Sequence, residues 1–119
     1  MTPRRKVLFV EDEPDLRKAY RRFFADRYEV ALAGTGAEAL VEFDRFKPDV
    51  VVLDMRLPDT DGIDVLRHFR NARPDLPVVI TTAYTSMEPL VEVLGLDHSG
   101  YLIKPYELSD LAQRIDAAG

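Results

Sequence analysis

A chain of 119 residues, 46% apolar and 31% charged, has the size and balance of one globular domain and is neither disordered nor long enough for two cores. Its net charge of -5 argues against nucleic-acid binding as the main task, because phosphate contacts need a basic face, and the lack of cysteine removes disulfides and thiolate metal sites. No apolar run approaches the roughly 20 residues of a membrane span, and the basic start "MTPRRK" is followed by only four apolar residues, too few for a signal peptide. These features lead us to expect a soluble cytoplasmic domain.

In chain order, β-branched runs alternate with stretches of helical spacing. A first strand covers Val7 to Val10. Pro14 suits the first turn of a helix whose apolar residues Leu16, Ala19, Tyr20, Phe23 and Phe24 follow the i, i+3, i+4, i+7, i+8 pattern. Phe9, Phe23 and Phe24 are expected in the core. A second strand spans Tyr28 to Ala33, and "TGAE" at Thr35 to Glu38 has capping-box spacing before Ala39, Leu40 and Phe43. The run Val50 to Leu53 forms a third strand, followed by a helix that starts near Asp61, carries Ile63, Leu66 and Phe69, and ends before Pro74. Asp59 and Asp61 suit a turn and a helix cap. Val78 to Thr81 is a fourth strand, and a fourth helix is placed between Ser86 and Gly95 with Pro89 in its first turn. Tyr101 to Ile103 is the last strand, and a fifth helix from Glu107 to Ile115 turns Leu108, Leu111, Ala112 and Ile115 inward. Five β-α units with short connections predict an α/β domain with a mainly parallel sheet covered on both faces.

Ligands of open α/β sheets bind beyond the carboxyl ends of the strands. There the sequence sets Glu11-Asp12-Glu13 after strand 1, Asp54 after strand 3, Thr81-Thr82 after strand 4 and Lys104-Pro105 after strand 5. Glu11, Asp12 and Asp54 bring three negative charges against the one positive charge of Lys104, and like charges share a site only when something offsets them. A hard divalent cation would do so, and clustered carboxylates suit Mg²⁺. A phosphoryl group on Asp54 would then meet the metal, Lys104 and a hydroxyl such as Thr82, which is the division of labour phosphoryl transfer requires. Acidic residues before a helix are also ordinary caps, and a lysine before proline is usually solvated. Four such features at four strand ends are harder to assign to structure alone.

The pair Glu11-Asp12, "LDMRLPDTDG" around Asp54, "TTA" at 81 to 83 and "GYLIKPY" at 100 to 106 occur in the order and separation of a known family. Over essentially its whole length the chain resembles the receiver domain of two-component response regulators. The resemblance implies a single doubly wound, flavodoxin-like domain over 1 to 119, with a five-stranded parallel sheet in the order 2-1-3-4-5, and no effector domain is expected within these residues. It implies that Asp54 is the phosphoacceptor, taking its phosphoryl group from a sensor histidine kinase or a histidine phosphotransfer protein. Glu11, Asp12, Asp54 and the backbone carbonyl of Arg56 would hold Mg²⁺. Lys104 would pair with the phosphoryl oxygens, and Thr82, rather than Thr81, would hydrogen-bond one of them because Ala83 follows it. Tyr101 resembles the switch aromatic, and Lys104-Pro105 the family's cis peptide. Output would pass through the surface of helix 4, strand 5 and helix 5, to a second copy or an effector domain, with no nucleic acid bound by this domain itself.

Several positions depart from the family or flank its motifs. Asp97-His98 replaces a common Gly-Ala before strand 5, and the last helix lacks the arginine-rich ending of receivers joined to winged-helix domains. Arg56 and Tyr84 resemble positions that tune dephosphorylation. Arg17, Lys18, Arg21 and Arg22 read as a solvated basic face of helix 1, with a kinase-docking edge as the sharper reading. His68 and His98 lack zinc-ligand spacing. A Mg²⁺-dependent phosphohydrolase is the competing enzyme class, but the second aspartate many of them carry two residues after the nucleophile is Arg56 here. A pure interaction module is disfavoured by the complete set of Glu11, Asp12, Asp54, Thr82 and Lys104.

Overall fold

In the computed structural model, residues 4–83 and 99–118 are described. Five short apolar runs form a parallel sheet: β1 (Lys6–Val10), β2 (Glu29–Ala33), β3 (Val50–Asp54), β4 (Val78–Thr82) and β5 (Gly100–Ile103). Their spatial order is β2-β1-β3-β4-β5, all neighbours parallel, as the resemblance implied. β3 and β4 are buried at every position, which is why they read as unbroken apolar runs and not as alternating ones.

Four helices are described: α1 (Pro14–Phe24), α2 (Gly36–Phe46), α3 (Gly62–Ala72) and α4 (Leu108–Ala117). The helix placed between Ser86 and Gly95, the Asp97-His98 turn and Tyr84 lie outside the described residues. Pro14 opens α1 as expected. At α2 half of the capping box forms: the Glu38 N–H donates to Thr35 Oγ1 at 3.0 Å, while Glu38 Oε1 reaches one residue past the cap and accepts from the Gly34 N–H at 2.8 Å. Lys47 ends α2 in the left-handed region at φ 52°, its N–H returning to the Phe43 carbonyl.

The two faces of the sheet bury separate cores. One holds Leu8, Val10, Val51, Leu53 and Ile80 beneath α2 and α3, where Phe43 and Phe69 stack at 4.5 Å. The other holds Val7, Phe9, Val52 and Val79 beneath α1 and α4, where Phe9 stacks on Tyr20 at 4.8 Å and on Phe24 at 5.1 Å. Phe23 does not join this core. It is 39% exposed, under the Arg27 guanidinium, because the inward stripe of α1 is narrow enough for only Tyr20 and Phe24 to be fully buried. Chain order reverses between β1 and β3, so the carboxyl ends of these two strands open onto the crevice where an α/β sheet takes its ligand.

Candidate functional site

At that crevice the carboxyl ends of the strands deliver their polar residues together. The Glu11 N–H continues the ladder of β1 by donating to the Ala33 carbonyl at 2.9 Å, fixing Glu11 one residue past the strand. Asp54 is the last residue of β3 and stands in register with Thr81 of β4. The Lys104 N–H donates to the Thr82 carbonyl at 2.8 Å, which holds the lysine beside the end of β4. From there its Nζ lies 2.7 Å from Glu11 Oε1 and donates to Asp54 Oδ2 at 3.0 Å. Asp54 Oδ1 accepts from the Arg56 N–H at 3.0 Å, and Glu11 Oε2 from the Glu13 N–H at 3.1 Å.

Glu11 and Asp54 are buried, only 1% and 2% exposed, while Asp12 is more open. Glu11, Asp12 and Asp54 each offer an oxygen within 4.8 Å of the others. Burial, together with the neighbouring charge of Asp54, pushes the Glu11 carboxyl up to about 8 against the pull of Lys104. Burial alone would lower the Lys104 ammonium, but its two carboxylate partners outweigh that and raise it. The pocket therefore holds more negative charge than its lysine balances. Glu11 Oε1 is fully buried and meets the Lys104 ammonium at 2.7 Å, off the hydrogen-bond axis. An all-oxygen set of three converging carboxylates with surplus negative charge fits Mg²⁺.

The loop after Asp54 is bound tightly to the strand. The Met55 N–H donates to the Thr81 carbonyl at 3.1 Å, and the Gly62 N–H to the Met55 carbonyl at 2.9 Å. Gly62 admits no side chain, since a Cβ there would lie 2.4 Å from Met55 Cα and 2.9 Å from the Asp54 carbonyl oxygen. Asp61 holds the N-cap position of α3 without a side-chain bond. Asp59 does cap a helix, but it is α2: its carboxylate accepts from the N–H groups of Gly36 at 2.7 Å and Ala37 at 3.0 Å, which hold its pKa below the usual value.

Thr82 is fully buried and in register with Ile103, and Tyr101, opposite Ile80, is half-buried against the α2–α3 core. His68 is exposed and meets the Phe43 ring edge-on. Three features escaped the sequence reading. Thr81, set aside in favour of Thr82, is buried directly opposite Asp54, with its side chain in hydrogen-bonding reach of Tyr106. The hydroxyls of Tyr20 on α1 and Tyr106, two residues after Lys104, hydrogen-bond to each other, and burial raises both phenols. Arg17 is half-buried and does more than face solvent: its Nη1 donates to the carbonyls of Glu11 and Asp12 at 2.8 and 2.9 Å. A cavity of about 430 Å³ opens beside Lys104, between Glu13 and Leu16 on one side and Ala83, Pro105 and Tyr106 on the other.

A flavodoxin-like sheet with buried acids and a lysine at its switch point is the frame of a signalling phosphoacceptor domain. Residues 7–116 match the response regulator receiver domain, and the chain belongs to that family. Phosphorylation and magnesium dependence are general properties of its members. Regulatory protein AtoC of Escherichia coli is 38% identical over 93% of this chain, and response regulator MprA of Mycobacterium leprae 38% identical over 94%. The chain spans 24% of the first and 50% of the second. Among solved structures, a CheY-like receiver domain protein from Methanospirillum hungatei superposes with a TM-score of 0.87 at 27% identity, covering 97% of this chain and 92% of that one. Response regulator TrrA of Thermotoga maritima, solved in complex with Mg(2+)-BeF, superposes with a TM-score of 0.83 at 26% identity and covers 97% of each chain. Among the described residues, no helix is long and apolar enough to cross a membrane.

Proposed function

We propose that Asp54 accepts a phosphoryl group from a phosphohistidine on a sensor histidine kinase or a histidine phosphotransfer protein, in a Mg²⁺-dependent reaction. The observation that carries this reading is the Lys104 ammonium bridging Glu11 and Asp54, beside three carboxylates that share a space of 4.8 Å. An Asp54 oxygen attacks phosphorus, the bond to the histidine nitrogen breaks, and that nitrogen keeps the electron pair. The Arg56 N–H orients the Asp54 carboxylate, and Lys104 pairs with the phosphoryl oxygens as they arrive. Glu11, Asp12, Asp54 and the Arg56 carbonyl would hold Mg²⁺, which supplies charge neutralisation to the transferring group. Thr82 takes one phosphoryl oxygen, and Tyr101 follows it. The opening beside Lys104 leaves room for a partner's imidazole.

The phosphorylated state alters the surface around β5 and α4 together with the predicted fourth helix, and differential affinity for a second copy or an effector domain sets the output. The domain catalyses only its own phosphorylation and dephosphorylation, in the cytoplasm. The test is incubation with acetyl phosphate, with and without Mg²⁺, followed by intact mass measurement. One labile phosphate is expected with Mg²⁺, and none in Asp54→Asn. Incorporation that survives Asp54→Asn overturns the assignment. Thr82→Ala should weaken switching more than Thr81→Ala, read by the part of the acetyl phosphate effect on tyrosine fluorescence that Tyr101→Phe removes.

A further inference from the structure

We propose that Arg17 is a positioning residue for the metal-holding acid pair, an inference that rests on the reading of the pocket given above. A single guanidinium nitrogen donates to the main-chain carbonyls of Glu11 and Asp12, at 2.8 and 2.9 Å. These consecutive residues supply two of the three converging carboxylates. Acids crowded this closely would relieve their repulsion by rotation of the loop peptides that swings the more open Asp12 away. Pinning both carbonyls to one nitrogen removes that freedom and keeps the acids converged before a cation arrives.

The anchor is α1 itself. Arg17 lies three residues before Tyr20 and seven before Phe24, on the same stripe as the two fully buried side chains of the helix. At the end of β2, Gly34 leaves the guanidinium its place: a Cβ there would lie 2.8 Å from Nη1 and 3.1 Å from Cζ. The same Cβ would be 3.3 Å from Glu38 Oε1, a contact that flexible carboxylate can absorb.

Charge and position predict opposite results. A cation next to the pocket repels Mg²⁺, so if Arg17 acted only through its charge, removing it would tighten metal binding. Loss of an orienting contact behind metal ligands instead weakens binding, on the order of tenfold or more.

Mn²⁺ binding, followed by loss of the free-ion EPR signal with Mg²⁺ as competitor, separates the two. It is measured on the whole chain for wild type, Arg17→Gln, Gly34→Ala and the double variant, alongside metal-free thermal melts. Arg17→Gln should bind Mn²⁺ and Mg²⁺ roughly tenfold more weakly. Gly34→Ala, which keeps the charge and displaces the guanidinium, should show a loss of the same sign, and the double variant should be no weaker than Arg17→Gln. Unchanged or tighter binding by Arg17→Gln overturns the inference, as does a fully additive double variant. If Arg17→Gln does not melt cooperatively, Gly34→Ala decides, and unchanged binding there overturns it. A wild-type chain that takes up neither ion overturns the pocket reading as well, an outcome distinct from failure of Arg17 alone.

Discussion

Replacing the proposed phosphoacceptor should make the metal-free protein more stable. Asp54 is 2% exposed, with oxygens of Glu11 and Asp12 within 4.8 Å and the Lys104 ammonium at 3.0 Å. At an effective dielectric of about 20, each repulsion at that separation costs about 3.5 kcal/mol and the ion pair returns about 5.5 kcal/mol. The two repulsions exceed the single attraction by about 1.5 kcal/mol, and the burial cost of the Asp54 charge adds to the same side. Asp54→Asn keeps an oxygen for the Arg56 N–H while removing the surplus charge. At roughly pH 8.5, where Glu11 is mostly ionised, its Tm without metal should lie about 5–10 °C above wild type. Saturating Mg²⁺ should narrow or invert the gap if Asp54 is the ligand proposed above, because wild type would then gain about 2.7 kcal/mol at a hundredfold excess over Kd and the variant would lack that ligand. Thermal melts followed by circular dichroism, with EDTA or with Mg²⁺, measure both quantities. A metal-free Asp54→Asn that melts below wild type would refute the reasoning, since the carboxylate would then be a net stabiliser in a balanced pocket.

Gly62→Ala drives a methyl group into the backbone of Met55 and Asp54, which cannot yield as a side chain would, and should cost about 3 kcal/mol in urea unfolding while abolishing phosphate incorporation. Tyr28 donates its hydroxyl to Asp116 on α4, so Tyr28→Phe should cost about 1–2 kcal/mol by the same measurement. Burial and that bond push the Tyr28 phenol up to about 12 from an ordinary 10, so its contribution is complete below pH 10 and lost as pH rises toward 12; the variant's stability should fall less steeply across that window. Asp59→Ala removes the acceptor for the first N–H groups of α2 and should lower Tm. Because the Asp59 pKa is depressed in the fold, its contribution is present above the ordinary carboxylate range and lost as pH falls through the folded value, so the Tm difference should vanish in acid.

The strands and most helix ends were legible because their signals are local: apolar runs, Pro14 at the first turn of α1, and Thr35 with Glu38 at α2. The acidic pocket was legible for a related reason. Strand ends are fixed points, so a polar residue following an apolar run has its position set by the sheet, and Glu11, Asp54 and Lys104 converge wherever β1, β3 and β5 are parallel. Side chains that bond to the main chain of another segment carry no comparable signal. Nothing in "LPDTDG" says that Asp59 will cap α2 and not α3. Phe23 was misjudged because an apolar residue at helical spacing reads as core even where the stripe is too narrow to bury it. For Arg17 a signal did exist, since its spacing to Tyr20 and Phe24 places it on the inward stripe, but residue type outweighed position.

These long-range contacts are also what holds the pocket in an electrostatically costly arrangement. The Asp59 carboxylate ties the loop after Asp54 to α2, Arg17 ties the loop of Glu11 and Asp12 to α1, and the Tyr20–Tyr106 bond ties the loop after Lys104 to α1 as well. Each loop bearing a charged site residue is thus fastened to a helix whose position is set by a separate hydrophobic core. A pocket built on mobile loops would spread its carboxylates and could no longer keep three oxygens close enough to share one cation. The repulsion among Glu11, Asp12 and Asp54 is sustained by apolar burial elsewhere in the fold, and a cation followed by a phosphoryl group can relieve or redirect it.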